Sequence, residues 1–297
     1  LSTFNQLTDS TLLYLYGYTT LQDQASYLSA SISASATSIA VADATAMSRG
    51  VVEIDDELLW IDSVDTSALT ITAPPYGRGY RGTTAATHAS GTRVAVSPLF
   101  PRALVKAAIN ETIQAVYPDL MGVASTTITW NPAVSTYALP AGARSVISVS
   151  AQTVGPSLEW VPVRSYRVDP TADTTAFSSG ASITITSGIT PGRTVKIMYT
   201  KQPTVLSAAS DDFVTVTGLP ASCEDVIRLG AAYRMVPFFD APHLSGASAE
   251  ADFGQQQSRP GSAAALGRYL LQLFSVRKDE EAKRLQAMYP IRMHFSR

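Results

Sequence analysis

From Ser222 to Tyr289 the chain carries apolar residues at helical spacing in two runs joined by a polar loop, and this pattern constrains everything upstream. In the second run Leu266, Tyr269, Leu270, Leu273, Leu285 and Met288 recur at intervals near three and four, which places most of them on one face of a helix. Its later turns are dense in charge: Arg277-Lys278-Asp279-Glu280-Glu281, then Lys283-Arg284. Asp279/Lys283 and Glu280/Arg284 are acid-before-base pairs at i,i+4, each expected to contribute roughly 0.2–0.5 kcal/mol. The remainder reads largely as β-rich modules inserted between helices. Such a chain suits a joint between other proteins better than a catalyst.

With 297 residues there is material for one large domain or two to three small ones. Apolar residues make up 45% and charged residues only 15%, below the usual quarter, with Ser, Thr and Ala filling the difference. That balance suits β-rich assemblies in which much of the surface is covered by other subunits. A net charge of −2 argues against a dedicated grip on nucleic acid, which needs many phosphate-neutralising Lys and Arg. The single cysteine, Cys223, excludes an internal disulfide and a Cys-rich metal site, and is expected at the first turn of a helix, partly buried. No apolar run reaches the ~18 residues of a membrane span, and the first residues lack a signal-peptide pattern, so synthesis in a reducing cytoplasm is the expectation.

Leu7 to Tyr16 is a helix candidate, capped by Thr8 or Ser10 and stopped by Gly17, with Tyr14, Tyr16 and Tyr18 beside it. From Ser29 to Ser97 the period becomes two. Val51 to Ile54 and Leu58 to Val64 suggest a hairpin turning at Asp55-Asp56. Asp55-Asp56-Glu57 resembles a metal cluster only superficially, because no histidine lies at ligand spacing. Gly77, Gly79 and Gly82 spell a dinucleotide fingerprint, but Pro74-Pro75 interrupts the approach and Gly91 truncates any following helix. The glycines are better suited to positive-φ turns, with Arg78 and Arg81 pairing to carboxylates or carbonyls of the same module or a neighbour.

Pro98 to Tyr117 is an amphipathic helix: Val105, Ile109, Ile113 and Val116 share one face, and Pro118 ends it. A second β region spans Thr126 to Val205, with strands expected at 128–130, 146–149, 160–163, 183–186 and 195–199 between Pro/Gly turns. Trp130 and Trp160 read as core or sheet-packing residues. Ser222-x-x-Asp225 resembles a capping box opening a helix with the stripe Val226, Leu229, Tyr233 and Val236. Asp240 to Pro260 reads as a long polar connection, and Ser262 as the cap of the final helix. The histidines, His88, His243 and His294, are isolated in sequence, and no H-E-x-x-H, G-x-S-x-G or Walker motif occurs. No catalytic residue, cofactor site or metal site is therefore assigned.

Arg78-Gly79-Tyr80-Arg81-Gly82-Thr83-Thr84-Ala85, followed by His88, Gly91 and Val94, resembles a loop-and-strand signature of structural proteins in tailed bacteriophages. Pro98-Leu99-Phe100-Pro101, Ala108 to Ile113 and Val116-Tyr117-Pro118-Asp119-Leu120 resemble the first core helix of long head-to-tail adaptor proteins. Ala231-Ala232-Tyr233-Arg234 and the helix ending Met288-Tyr289-Pro290 fit the other core helices. The resemblance implies a self-assembled ring, commonly a dodecamer, at the head–tail interface of the virion. Its partners would be the portal protein, a neck, stopper or tail-completion protein, and tail fibre or decoration proteins on the β modules. DNA would pass through the channel without sequence-specific binding. In such adaptors the C-terminal segment docks on the portal, here Tyr289, Arg292, Met293, His294, Phe295 and Arg297. The rival readings are a baseplate, minor tail or fibre-attachment protein with glycan-binding β modules and, more remotely, a cell-wall hydrolase.

The expected fold is α+β. A helical core, with helices near 101–117, 222–239 and 262–289, carries two inserted barrel- or sandwich-like β modules. Residues 1–28 form an N-terminal helical segment, 29–97 the first β module, 98–122 and 218–290 the helical core, 123–206 the second β module, and 291–297 a docking tail. The core residues are Val105, Ile109, Ile113, Val116, Val226, Leu229, Tyr233, Leu266, Leu270 and Leu273. Arg78, Gly79, Arg81, Gly82, Thr83 and His88 form a loop with a structural or intersubunit task.

Overall fold

The computed structural model describes residues 2–19, 24–155, 158–236 and 262–290. The fold is α+β, with several antiparallel sheets and a set of helices. The chain divides into two compact units, one of Leu1–Phe4, Thr112–Val226 and Ser275–Arg297, the other of Asn5–Glu111 and Ile227–Phe274.

The unit containing residues 5–111 holds the first β module. Strands β1 (Ala25–Tyr27), β3 (Gly50–Ile54), β4 (Glu57–Ile61) and β7 (Arg93–Val96) make one antiparallel sheet in the order β1-β7-β3-β4. Strands β2 (Ser38–Ala40), β5 (Ser63–Asp65) and β6 (Thr70–Thr72) make a second, ordered β2-β6-β5. Ile39, Val52, Ile54, Leu59, Ile61, Ile71 and Val94 form one cluster drawn from both sheets. Each is fully buried, contributing about 1.5–3 kcal/mol apiece by removal from water. The β3–β4 hairpin turns at Asp55-Asp56 as the residues suggest, with Asp55 at φ 53°, a region that Asp tolerates better than most residues. The stretch from Leu58 to Val64 is not one strand, however: it breaks at Asp62, and β5 crosses to the other sheet.

The unit containing residues 112–226 holds the second β module, a sandwich. Strands β8 (Gly122–Thr129), β10 (Ala143–Gln152), β11 (Trp160–Pro162) and β14 (Thr194–Lys201) pair in the order β11-β10-β14-β8. Strands β9 (Thr136–Ala138), β12 (Tyr166–Asp169) and β13 (Ser182–Ile185) pair as β12-β13-β9. Trp130, Val146, Val149, Ile183, Ile185, Val195 and Ile197 fill the space between the sheets. Strands β9 and β12 are not evident in the sequence; each is short and alternates weakly. Trp130 is core, whereas Trp160, on edge strand β11, is 44% exposed.

Five helices are described: α1 (Phe4–Thr19), α2 (Arg102–Ala115), α3 (Phe213–Thr217), α4 (Glu224–Met235) and α5 (Ser262–Met288). Helix α1 begins well before Thr8 and passes through Gly17. Thr8 and Ser10 are interior residues, and Ser10 and Thr11 donate back to carbonyls of the preceding turn. Helix α3 is short and escapes sequence reading because it is one turn, capped by Asp212, whose carboxylate accepts the Thr215 N–H at 2.9 Å. The expected Ser222 capping box does not form. Residues Ala221–Cys223 make a 3-10 turn, α4 starts at Glu224, and the Ser222 hydroxyl donates instead to Glu281 at 2.6 Å. The expected connection Asp240–Pro260 lies outside the described residues.

Candidate functional site

The loop joining β6 to β7 is built from the first-module signature. Pro75–Gly77 and Tyr80–Gly82 form two 3-10 turns. Gly77 lies so close to β4 that a Cβ there would sit 2.5 Å from the Trp60 carbonyl oxygen. Gly79 has φ 60°, and a Cβ would meet the Thr83 carbonyl at 2.7 Å. Gly77 does not adopt the expected positive φ and requires glycine for close approach alone, whereas Gly79 requires it for conformation as well.

Between them Arg78 turns inward. Its Nε and Nη2 donate to the two carboxylate oxygens of Glu57 at 2.8 and 2.9 Å, a bidentate pair in which both side chains are buried. The remaining guanidinium hydrogens reach the carbonyls of Ser33 (2.7 Å), Ala36 (2.9 Å) and Ala86 (2.8 Å). Glu57 also accepts the backbone N–H groups of Gly79 and Ala86. Burial alone would raise the Glu57 carboxyl; hydrogen bonds from Arg78, Ala86, His88 and Gly79 outweigh it and hold it at about 2. His88 closes the network: Nε2 lies 2.9 Å from Glu57 and Nδ1 2.8 Å from Asp55, while its backbone pairs with Ile32. Thr83 accepts the Leu58 N–H and donates to the Tyr80 carbonyl.

Arg78, Gly79, Thr83 and His88 are thus brought together around Glu57 and Asp55, which the sequence reading left out of the site. The missing histidine beside the acidic cluster is supplied by the fold, from more than thirty positions away. Its ring nitrogens are occupied by the carboxylates themselves, and among the described residues no group of three or more His, Cys, Asp or Glu is arranged to hold a metal ion. Arg81 stands apart, exposed at φ 54° with its guanidinium 5.5 Å from the Tyr80 ring.

A second polar cluster joins the β3–β4 hairpin to α1 and α2. Lys106 donates to Asp56 at 2.6 Å and Asn5 at 2.7 Å, and Arg102 bridges towards Asp9. Glu53 accepts the backbone N–H of Arg102 at the start of α2. Burial pushes the Glu53 carboxyl up to about 7, against the lowering effect of that hydrogen bond and of the Arg102 charge.

The third cluster lies in the unit that includes residues 275–290. Glu281 is buried and takes the Ser222 hydroxyl, Arg284 at 2.9 Å and Arg277 at 3.5 Å. Arg277 also holds Asp225 at 3.1 Å and pairs with Glu280, and Lys278 pairs with Asp119. The expected Glu280/Arg284 pair is replaced, because Glu281 draws Arg284 away and Glu280 pairs with Arg277; no ion pair between Asp279 and Lys283 is found among the described residues. Much of the charged band therefore ties its own unit together. Cys223, fully rather than partly buried, has its thiol pushed up to about 12 by burial, with the Glu281 charge adding to the shift.

Of the helix residues singled out, Val105, Ile109, Ile113, Val116, Val226, Leu229 and Leu270 are buried. Tyr233, Leu266 and Leu273 are half-buried. Tyr269 and Met288 leave the expected stripe and are 59% and 57% exposed. Tyr289 is half-buried, while Arg292, Met293, His294, Phe295 and Arg297 lie outside the described residues.

Residues 83–287 match the family model described as SU10 adaptor protein, and the chain belongs to that family. It is a structural adaptor protein of a bacteriophage and a component of the virion. The matched span takes in Thr83, His88, α2, the second β module and nearly all of α5, but begins after Arg78–Gly82. No curated protein matches the chain. No helix among the described residues is long and apolar enough to cross a membrane.

Proposed function

We propose that this adaptor is a ring-forming connector that joins the capsid portal to the neck or tail and surrounds the channel through which DNA leaves. The observation that carries the reading, beyond family membership, is α5. Of its described side chains only Leu270, Glu281 and Leu285 are buried, and Tyr269, Leu271, Val276 and Met288 are exposed. A helix of 27 residues with so much uncovered apolar surface is suited to packing against other subunits. Exposed Leu13 and Tyr14 on α1 extend the same chemistry.

In this reading the helices form the ring, residues 29–97 and 123–206 project from it as β modules, and Arg81 is available to a neighbouring subunit. Tyr289, Arg292, Met293, His294, Phe295 and Arg297 dock on the portal. The β modules are where fibre, decoration, neck or tail-completion proteins attach. The channel needs no sequence-specific DNA contact, in keeping with the chain's low net charge.

The test is a deletion of Tyr289–Arg297 combined with imaging of labelled particles. The expected outcome is a folded subunit that no longer joins DNA-filled heads, with the label of the intact chain at the neck. Normal joining by the shortened chain removes the docking assignment, and a label elsewhere on the particle removes the connector reading. The fibre-attachment alternative draws on the half-exposed Trp160. It requires host-glycan binding that Trp160→Ala abolishes.

A further inference from the structure

The sheet β11-β10-β14-β8 ends on both sides in a strand that, among the described residues, has no further strand beside it. Such edges present unpaired N–H and C=O groups, and proteins usually blunt them with charge, bulges or proline. Strand β8 has none of these. It pairs with β14 in unbroken register from Gly122 to Thr129, and Ser125-Thr126-Thr127-Ile128-Thr129 holds neither a charged residue nor a proline. The Val123 N–H points away from β14 and donates to the Gly218 carbonyl. By alternation, Ser125, Thr127 and Thr129 turn their backbone groups to that same outer side, and all three residues are exposed.

The opposite edge is apolar: Trp160 and Val161 of β11 are 44% and 49% exposed. Val163 donates its N–H inward to Val149, so Trp160 and Pro162, out of phase with it, turn their backbone groups outward. The two edges match in direction and in phase. Successive strands of the sheet are antiparallel, so β8 runs opposite to β11. When a second copy continues the sheet beyond β8 in the same sense, its β11 therefore lies antiparallel to β8. Ile128 and Val163 both pack on the sandwich core, which places the side chains of Thr127 and Trp160 together on the other face. Opposite each other, Thr127 and Trp160 exchange both backbone hydrogen bonds, and the Ser125 N–H meets the Pro162 carbonyl. The proline, which has no N–H, removes one bond from the ladder and leaves the rest.

We infer that β8 of one subunit pairs antiparallel with β11 of the next, Thr127 opposite Trp160, so that the sheet continues across the subunit boundary. The pairing rests on the ring-forming reading for its second copy and names where two neighbours join. Contact between unlike edges repeats from copy to copy, as a ring requires, whereas two β8 edges paired with each other would close a two-fold dimer. It also covers Trp160 and Val161, whose exposure in the single subunit has no other use in the connector.

The test uses particles assembled with the full chain carrying both Thr126→Cys and Val161→Cys. These positions face each other when Thr127 faces Trp160, as a non-hydrogen-bonded pair with Cα atoms about 4.5 Å apart, within disulfide reach. Oxidation is expected to link neighbouring chains between 126 and 161 and to give a ladder of multiples on a denaturing gel, while particles with either substitution alone stay unlinked. A link between two like positions, or no link in particles that contain the doubly substituted chain, overturns the inference. If that chain does not enter particles, amide exchange of the native chain decides. The Thr127 N–H should exchange at least tenfold more slowly in the particle than in the dilute subunit, and equal rates overturn the pairing. A label at the neck without the 126–161 link removes this pairing and leaves the connector; the link with a label elsewhere on the particle does the reverse.

Discussion

Glu57 shows how much one carboxylate can organise. It receives Arg78 in bidentate geometry, His88, and two backbone N–H groups, and it is almost fully buried. Glu57→Gln is expected to cost roughly 3–5 kcal/mol, because it leaves the Arg78 charge buried without its counter-ion; urea unfolding measures this directly. Arg78→Lys should fare little better, since an ammonium cannot span both oxygens. The pH dependence follows from the same site. The folded-state value of Glu57 is lowered to about 2, so its contribution is complete above the ordinary value of 4.5 and is lost as pH falls towards about 2. Glu53 works in the opposite sense. Its value is raised to about 7, so the folded state loses stability as pH rises from 4.5 to about 7, by roughly 3 kcal/mol at most. Glu53→Gln keeps an acceptor for the Arg102 N–H and should remove that loss. Unfolding midpoints of wild type and variant, compared at pH 5 and pH 8, are expected to diverge only at the higher pH.

At the scale of elements, the described ion pairs hold neighbouring segments of each unit to one another. Within the unit containing residues 5–111, Lys106 and Arg102 fasten the β3–β4 hairpin and α1 to the first turns of α2. Within the other unit, buried Glu281 anchors α5 to the start of α4 through Ser222 and shares Arg277 with Asp225. Glu281→Ala is expected to destabilise by about 1–3 kcal/mol, since the Ser222 hydroxyl and Arg277 lose an acceptor. In hydrogen exchange, amides of α5 between Arg277 and Leu285 should lose protection first. The loop between β6 and β7 has its own requirement: Gly79→Ala forces a Cβ against the Thr83 carbonyl in a left-handed conformation. A loss of about 1–3 kcal/mol is expected from the strain.

At the scale of the whole molecule, membership of the SU10 adaptor family sets the role: a structural part of a phage particle. In the proposed connector, the exposed apolar residues on α1 and α5 are the surfaces offered to other subunits. Tyr269→Glu and Val276→Glu on α5 should leave the isolated subunit folded, because these side chains are already 59% and 50% exposed. They should abolish subunit association, as read by the mass of the assembled species at low and high protein concentration. Association unchanged by both substitutions would remove α5 from the interface.

Local sequence by itself determined the periodicities, and with them the α+β class, the two β regions, and helices α2, α4 and α5. These follow from side-chain spacing that any partner surface can satisfy, so no knowledge of the partner is needed. The expected positive-φ turns are found at Gly79 and Gly82, whereas Gly77 lies outside that region and is required by its close approach to the Trp60 carbonyl, which only the fold creates. Only the tertiary structure decided which charges meet. Arg78 and His88 lie 21 and 31 positions from Glu57, and Glu281 lies 59 positions from Ser222. The Glu280/Arg284 pairing failed for that reason. A local pair on an exposed helix contributes a few tenths of a kcal/mol, whereas a buried carboxylate left without donors costs several times more, so Glu281 claims the nearest arginines. Tyr269 and Met288 depart from their stripe on the same principle: periodicity fixes which residues share a face, and packing alone fixes how far along a long helix that face is covered.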